Sequence, residues 1–206
     1  MAEQVVQAFS PQHAQDEQAL VARAKRGDRK AFAALVEPYR ERLYATALRL
    51  LGNHDDAAEV TQDAILRTFW KITGFHRKAS FYTWLYRITL NLCYRRLETR
   101  RREPVLHPSS PQTAEDPEER PEELLPDTSI SPHETAANQE TAAMVRQALA
   151  SLSPRDFQVL VLREFEELSY DEVARTLRLP KGTVMSRLHR ARLALAAQLR
   201  KLGVQR

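Results

Sequence analysis

Apolar residues recur along this chain at helical spacing in two blocks, separated by a stretch in which periodicity stops. In the first block, Glu17 to Arg26 predicts a short helix closed by Gly27, and Asp28 stands as the cap of the next. Phe32, Leu35, Tyr39, Leu43, Ala47 and Leu50 share one stripe of a helix over 29–51, which Pro38 should kink near Glu37 before Gly52 ends it. A third helix begins at Asp55 or Asp56 and runs to about Ile72, with Ala58, Ile65, Phe69 and Ile72 as its buried stripe. Ser80 caps a fourth, in which Phe81, Trp84, Leu85, Ile88 and Leu92 make the face to bury.

The second block resumes near Thr135. Ala137, Thr141, Met144, Ala148 and Leu152 form one helix face, after which Ser153 and Pro154 supply an N-cap and a first-turn proline. The helix over 155–165 turns Phe157, Leu160, Val161 and Phe165 inward. Ser169-Tyr-Asp-Glu172 is a capping box, so Tyr170 to Leu177 forms a short helix with Val173, Ala174 and Leu177 inside. After Arg178-Leu179-Pro180 a longer helix, Lys181 to Arg200, carries Val184, Leu188, Ala191, Leu195 and Leu202 on its apolar side. Helix, short turn, helix with these inward residues is a helix-turn-helix pattern, though an ordinary helical hairpin can show it too. The expected fold is all-α: two small helical domains joined by an extended linker, with the helix-turn-helix at the C-terminal end.

Charge sharpens that division. Residues 103–140 hold ten Asp or Glu against the single Arg120, a net −9, so the rest of a chain of net +4 carries +13. Seven of the eleven prolines fall within 104–132, and proline together with like-charge repulsion predicts an extended linker. The organisation read from this is a loose tail over 1–15, a first domain over 16–102, an acidic linker over 103–136 and a second domain over 137–206. Two basic bodies point to a polyanion, although solubilising surface cations would give the same balance.

Cys93, the only cysteine, excludes an internal disulfide and reads as a small buried hydrophobe, with a redox sensor as the alternative. No apolar run approaches the roughly 18 residues of a membrane span, and the first residues lack the make-up of a secretory signal; a soluble, cytoplasmic protein is expected. The six histidines are scattered and no phosphate-cradling glycine loop occurs, so neither an enzyme nor a cofactor or metal site is expected.

Three stretches carry candidate chemistry. Between Asp63 and Glu98 there is no carboxylate, while Tyr82, Tyr86 and Tyr94 interleave with Arg77, Lys78, Arg87, Arg95 and Arg96. Flat rings beside cations suit unpaired nucleic acid, because bases stack on rings while cations hold phosphates; a core helix with solvated arginines would have the same composition. On the third helix Glu59, Asp63, Leu66 and Trp70 follow one line, which suits a basic, partly apolar partner if Leu66 and Trp70 are not simply core. In the second block, Lys181, Thr183, Ser186, Arg187, His189, Arg190 and Arg192 line the outer side of the last long helix, a donor set of the kind duplex DNA needs.

The string F-Y-T-W-L-Y-R-I-T-L-N, preceded by G-F-H-R-K-A-S, resembles the promoter-melting region of bacterial RNA polymerase sigma factors of the extracytoplasmic-function (ECF) class. That resemblance implies that His76, Arg77, Lys78, Ala79, Ser80, Tyr82, Tyr86, Arg87, Asn91 and Arg95 hold the −10 promoter element, the loop trapping a base flipped from the non-template strand. Residues 55–70, D-D-A-A-E-V-T-Q-D-A-I-L-R-T-F-W, are similar to the family segment that grips the polymerase clamp helices, which implies contacts from Asp55, Asp56, Glu59, Gln62, Asp63 and Leu66. P-K-G-T-V-M-S-R-L-H-R-A-R resembles the upstream reader, so Lys181, Thr183, Ser186, Arg187, His189 and Arg190 are implied at the −35 element. Two departures stand out: Arg178 where the family often has glycine, and Met185 where it often has a basic residue. The implied partners are core RNA polymerase, at its clamp helices and flap, promoter DNA both as duplex and as single strand, and an anti-sigma factor. The implied setting is a stress response, with the linker threading the RNA channel. The competing expectation is an autonomous dimeric helix-turn-helix regulator in which 19–102 serves as effector or dimerisation domain.

Overall fold

The computed structural model describes residues 11–76, 80–102 and 132–204, with side chains from 17 onward in its first helix and from 138 onward in its sixth. The expected tail up to residue 10, Arg77, Lys78 and Ala79, and the linker up to residue 131 lie outside the described residues. The elements are α1 (Pro11–Lys25), α2 (Arg29–Val36), α3 (Arg40–Leu51), α4 (His54–Lys71), α5 (Phe81–Arg102), α6 (Pro132–Ala150), α7 (Pro154–Glu164), α8 (Tyr170–Leu177) and α9 (Lys181–Lys201). Two helices start earlier than expected. α1 takes in residues 11–15 behind a first-turn proline, and α6 opens on Pro132 in the same way.

Local chemistry sets most boundaries. Asp28 Oδ1 accepts from the Ala31 N–H at 3.0 Å and caps α2. Pro38 does interrupt the long stripe: a single 3-10 turn over Glu37–Tyr39 separates α2 from α3. Gly52 ends α3 at φ 67°, the left-handed conformation that costs glycine least.

The buried face of α4 differs from the expected one by a step. Ala57, Val60, Thr61, Ala64 and Thr68 face the core, whereas Ala58 is exposed and Ile65 and Phe69 are half-buried. Two threonines can occupy core positions because each Oγ1 donates to the carbonyl four residues back, Thr61 to Ala57 and Thr68 to Ala64, both at 2.7 Å.

α2, α3, α4 and the first half of α5 enclose the first core. The Phe81 ring sits edge-on to those of Phe32 and Phe75, with centroids 6.5 and 6.0 Å apart. In the second domain α9 packs on α6, α7 and α8 through Val184, Leu188 and Ala191. α5 also packs against α6, α7 and α8, so the two cores are continuous. Its buried surface therefore runs nearly all the way round: Tyr86, Thr89, Leu90, Cys93, Tyr94 and Leu97 join the expected Phe81, Leu85 and Leu92, while Trp84 and Ile88 are only half-buried. Across that contact the Tyr94 hydroxyl donates to the Leu152 carbonyl at 2.9 Å, and its ring lies 5.4 Å from that of Phe157. α7, covered on two sides, buries Val159 and Leu162 as well as the expected Phe157, Leu160 and Val161.

Candidate nucleic-acid interface

Ser80 opens α5 as expected, its Oγ accepting from the Thr83 N–H at 3.2 Å. From there Tyr82 lies between Tyr39 and Tyr86, with ring centroids 5.0 and 5.5 Å away, and the Arg42 guanidinium sits 5.1 Å over the Tyr82 ring. Of the residues that the sequence suggested for unpaired bases, Tyr82 and Tyr86 thus meet, tilted at 42°, with Tyr82 half-buried, while the neighbouring Tyr39 and Arg42 were not among those expected. Tyr86, expected on the exposed side, is buried; that burial and the nearby Glu166 charge hold its phenol well above the ordinary value. Burial raises Tyr82 in the same direction. Arg87 is half-buried, and burial together with Arg178 of the second domain pushes its guanidinium pKa down. Asn91 is exposed yet accepts from Gln158 Nε2 at 2.6 Å, whereas His76 and Arg95 face solvent. The second domain covers the middle of this face because α7, α8 and the loop between them dock along α5.

The outer face of α4 is different. Asp55, Glu59 and Gln62 are exposed, and Leu66 and Trp70 on the same line stand 42% and 69% exposed. Asp63 is half-exposed and accepts from Arg67 Nε at 2.8 Å, an i,i+4 surface pair. Asp56 departs from the expected contact set. It turns inward, buried, where Arg96 reaches it at 2.6 Å and Arg100 pairs with its second oxygen. Sequence spacing cannot distinguish Asp55 from Asp56; the Asn53 cap, accepting from the Asp56 N–H at 2.9 Å, sets the phase that sends the second one inside.

In the second domain the capping box is complete, with Glu172 Oε2 taking the Ser169 N–H at 2.8 Å and the Ser169 hydroxyl taking the Glu172 N–H at 3.3 Å. The Ser169 hydroxyl also donates to Glu172 Oε2 at 2.7 Å, and this bond, followed by the one from the Ser169 N–H, holds the Glu172 carboxyl below the ordinary value. Arg178 adopts φ 55°, so the turn accepts the left-handed backbone that glycine would enter freely, at a cost of about 1 kcal/mol. On α9 the side chains of Lys181, Ser186, His189 and Arg190 are exposed and those of Thr183 and Arg187 half-buried. Lys181 pairs with Asp171 at 2.9 Å and Arg192 with Glu164 at 2.5 Å, both surface pairs that a polyanion can displace. Met185 is exposed in the middle of this row.

One cluster had no sequence signal. Glu166, in the α7–α8 loop, has a side chain only 7% exposed and reaches Arg42 at 3.2 Å and Arg49 at 2.7 Å. Thr46 Oγ1 donates to it at 3.2 Å, and Arg49 also donates to the Phe165 carbonyl at 2.9 Å. An acid inside E-F-E-E reads as solvated, and Arg42, Thr46 and Arg49 read as the polar side of α3. The spacing of 42, 46 and 49 along one helical line was the only available hint.

Comparison with known proteins bears on these surfaces. Residues 35–103 match the family described as Sigma-70 region 2, and residues 142–195 match Sigma-70, region 4. The chain is 37% identical to RNA polymerase sigma-H factor of Pseudomonas aeruginosa over 91% of its own length and 96% of that protein. With ECF RNA polymerase sigma factor SigW of Bacillus subtilis it shares 32% identity over 88% of this chain and 96% of the relative. A solved structure of CnrH in complex with the cytosolic domain of CnrY superposes at a TM-score of 0.54 with 27% identity, covering 90% of this chain and 98% of that one. One matched region falls within the first block of helices and the other within the second, and the chain belongs to the ECF class of the sigma-70 family of RNA polymerase sigma factors.

Proposed function

We propose that this chain joins core RNA polymerase through the outer face of α4, places α9 in the major groove at the −35 element, and holds unpaired bases of the −10 element on α5 and the loop before it. The polymerase is thereby directed to particular promoters, and the chain itself is assigned no catalytic step. The observation that carries this reading is the uncovered strip on α4. A Trp 69% exposed and a Leu 42% exposed, in line with Asp55, Glu59 and Asp63, form a surface without reward in water but suited to a basic, partly apolar helix pair.

For the duplex, Lys181, Ser186 and Arg190 on α9 supply phosphate and base-edge donors, with Thr183 and Arg187 nearer the core edge. For the single strand, Tyr82 and Tyr86 offer stacking faces once the second domain moves away. The similarity to CnrH, solved in complex with the cytosolic domain of CnrY, supports a protein partner for this chain also, which we read as an anti-sigma factor.

The test is co-elution with bacterial core RNA polymerase of the wild-type chain and of a variant carrying both Asp63→Arg and Leu66→Arg. Wild type should co-elute and the variant should not, with both melting at the same temperature. A folded wild type that stays separate from core would remove the reading and favour the autonomous regulator.

A further inference from the structure

Glu166 is the most heavily engaged carboxylate between the domains, and what it engages is a site in its own right. Arg42, Thr46 and Arg49 lie on one line of α3, at i, i+4 and i+7. They converge on the Glu166 oxygens with two guanidinium groups and one hydroxyl, at 3.2, 3.2 and 2.7 Å. Beside them Arg42 covers the Tyr82 ring, and Tyr82 continues to Tyr86. Take Glu166 away and two cations and a hydroxyl donor remain, bordered by the phenols of Tyr82 and Tyr86. That set matches a phosphodiester with its attached base, since guanidinium donors serve two phosphate oxygens as they serve two carboxylate oxygens, and the rings take the base.

The surroundings indicate that the carboxylate is a replaceable occupant. The same contact sets Arg87 near Arg178 and Arg146 near Arg100, and burial together with the neighbouring cation pushes Arg87 and Arg146 down in pKa. Arg87 and Arg146, each half-buried beside another cation, oppose closure, so Glu166 offsets a repulsion as well as its own desolvation. The Tyr86 hydroxyl lies buried beside Glu166 and Thr46, at the edge of the same cluster.

We infer that the α3 line Arg42, Thr46 and Arg49 is a phosphodiester-binding site for the unpaired DNA strand, and that in the closed chain the Glu166 carboxylate occupies it in place of phosphate. The inference rests on the sigma reading only for the identity of the strand. Its consequence is competition: a strand reaches the Tyr82–Tyr86 rings and this site after Glu166 leaves, so closure and single-strand binding exclude each other.

The test uses the full chain without polymerase. A fluorescein-labelled single-stranded oligonucleotide of mixed sequence, about one site long, is titrated by anisotropy, and the radius of gyration is measured by small-angle scattering. Glu166→Ala should enlarge the radius and tighten binding about tenfold, if roughly nine in ten free molecules are closed. Adding Arg42→Ala and Arg49→Ala to Glu166→Ala should abolish the gain while the radius stays large. Because these variants could affect folding, the charge-exchanged pair Glu166→Arg with Arg49→Glu serves as control; it should restore the compact radius and weaken strand binding below wild type.

An unchanged radius in Glu166→Ala would overturn the latch, and an enlarged radius without tighter binding would overturn the phosphate site. Neither result touches co-elution with core polymerase, which tests the sigma reading separately.

Discussion

The outer faces of α4 and α5 meet solvent on the same domain with opposite outcomes. α4 leaves Leu66 and Trp70 uncovered, while α5, with more aromatic surface on its outer side, is roofed by α7 and α8. The difference follows from what each face offers the second domain. α5 presents phenols, an amide and small apolar residues that complement Phe157, the Leu152 carbonyl and Gln158, whereas the outer line of α4 presents carboxylates beside Leu66 and Trp70. In the free chain the α4 surface proposed for polymerase and the α9 surface proposed for duplex DNA are thus open, while the middle of the α5 face proposed for the unpaired strand is covered.

The comparison can be broken hardest at Phe157. It is fully buried and serves both the second core and the Tyr94 contact, so Phe157→Ala should lower stability by about 3 to 5 kcal/mol in thermal or urea unfolding. A loss under 1 kcal/mol would mean that the roof over α5 contributes little. Tyr94→Phe keeps the ring and removes the bond to Leu152, leaving a buried carbonyl unpaired at a cost of roughly 1 to 3 kcal/mol. Urea midpoints measure this directly, and an unchanged midpoint would remove that bond from the closed arrangement.

At the open face the expected effect on stability is smallest. Trp70→Ala should change it by no more than about 0.5 kcal/mol while weakening polymerase binding. Loss of stability without loss of binding would show that the ring is structural.

Cys93 gives a pH test of the covered face. Burial pushes its thiol up to about 12. An acid whose folded pKa is raised stabilises the fold fully below its unfolded value, and this contribution is lost as pH climbs from about 9 to about 12. Near neutral pH the folded chain should resist iodoacetamide at Cys93 and react at the rate at which α5 opens; rapid alkylation of the native chain would contradict the burial.

What could be read in advance, and what could not, divides along the same line. Asp28, Pro38, Ser153 with Pro154, and Ser169 with Glu172 act within a few residues of themselves, and each produced the cap or break expected of it. The α4 stripe was misplaced because Thr61 and Thr68 look polar until their hydroxyls are seen returning to the backbone. Tyr86 reads as outward because α5 alone has one apolar stripe; its second buried face exists only against a domain some fifty residues further along the chain. Asp56 and Glu166 were beyond reach for a related reason, since a carboxylate is read as solvated until its arginines, distant in sequence, arrive. The sigma resemblance proposed three interfaces but could not show that the middle of one of them is covered by the second domain.

The measurement closest to the centre of this account is a distance between domains. With Cys93→Ala as background, dyes on Ala58→Cys and Ala196→Cys, both exposed positions, report the separation of α4 and α9 by energy transfer in the free chain and with core polymerase. The account predicts one short, narrow distance for the free chain and a longer one in the complex. A long, broad distribution in the free chain would contradict it, because the face of α5 would then be open before any partner arrives.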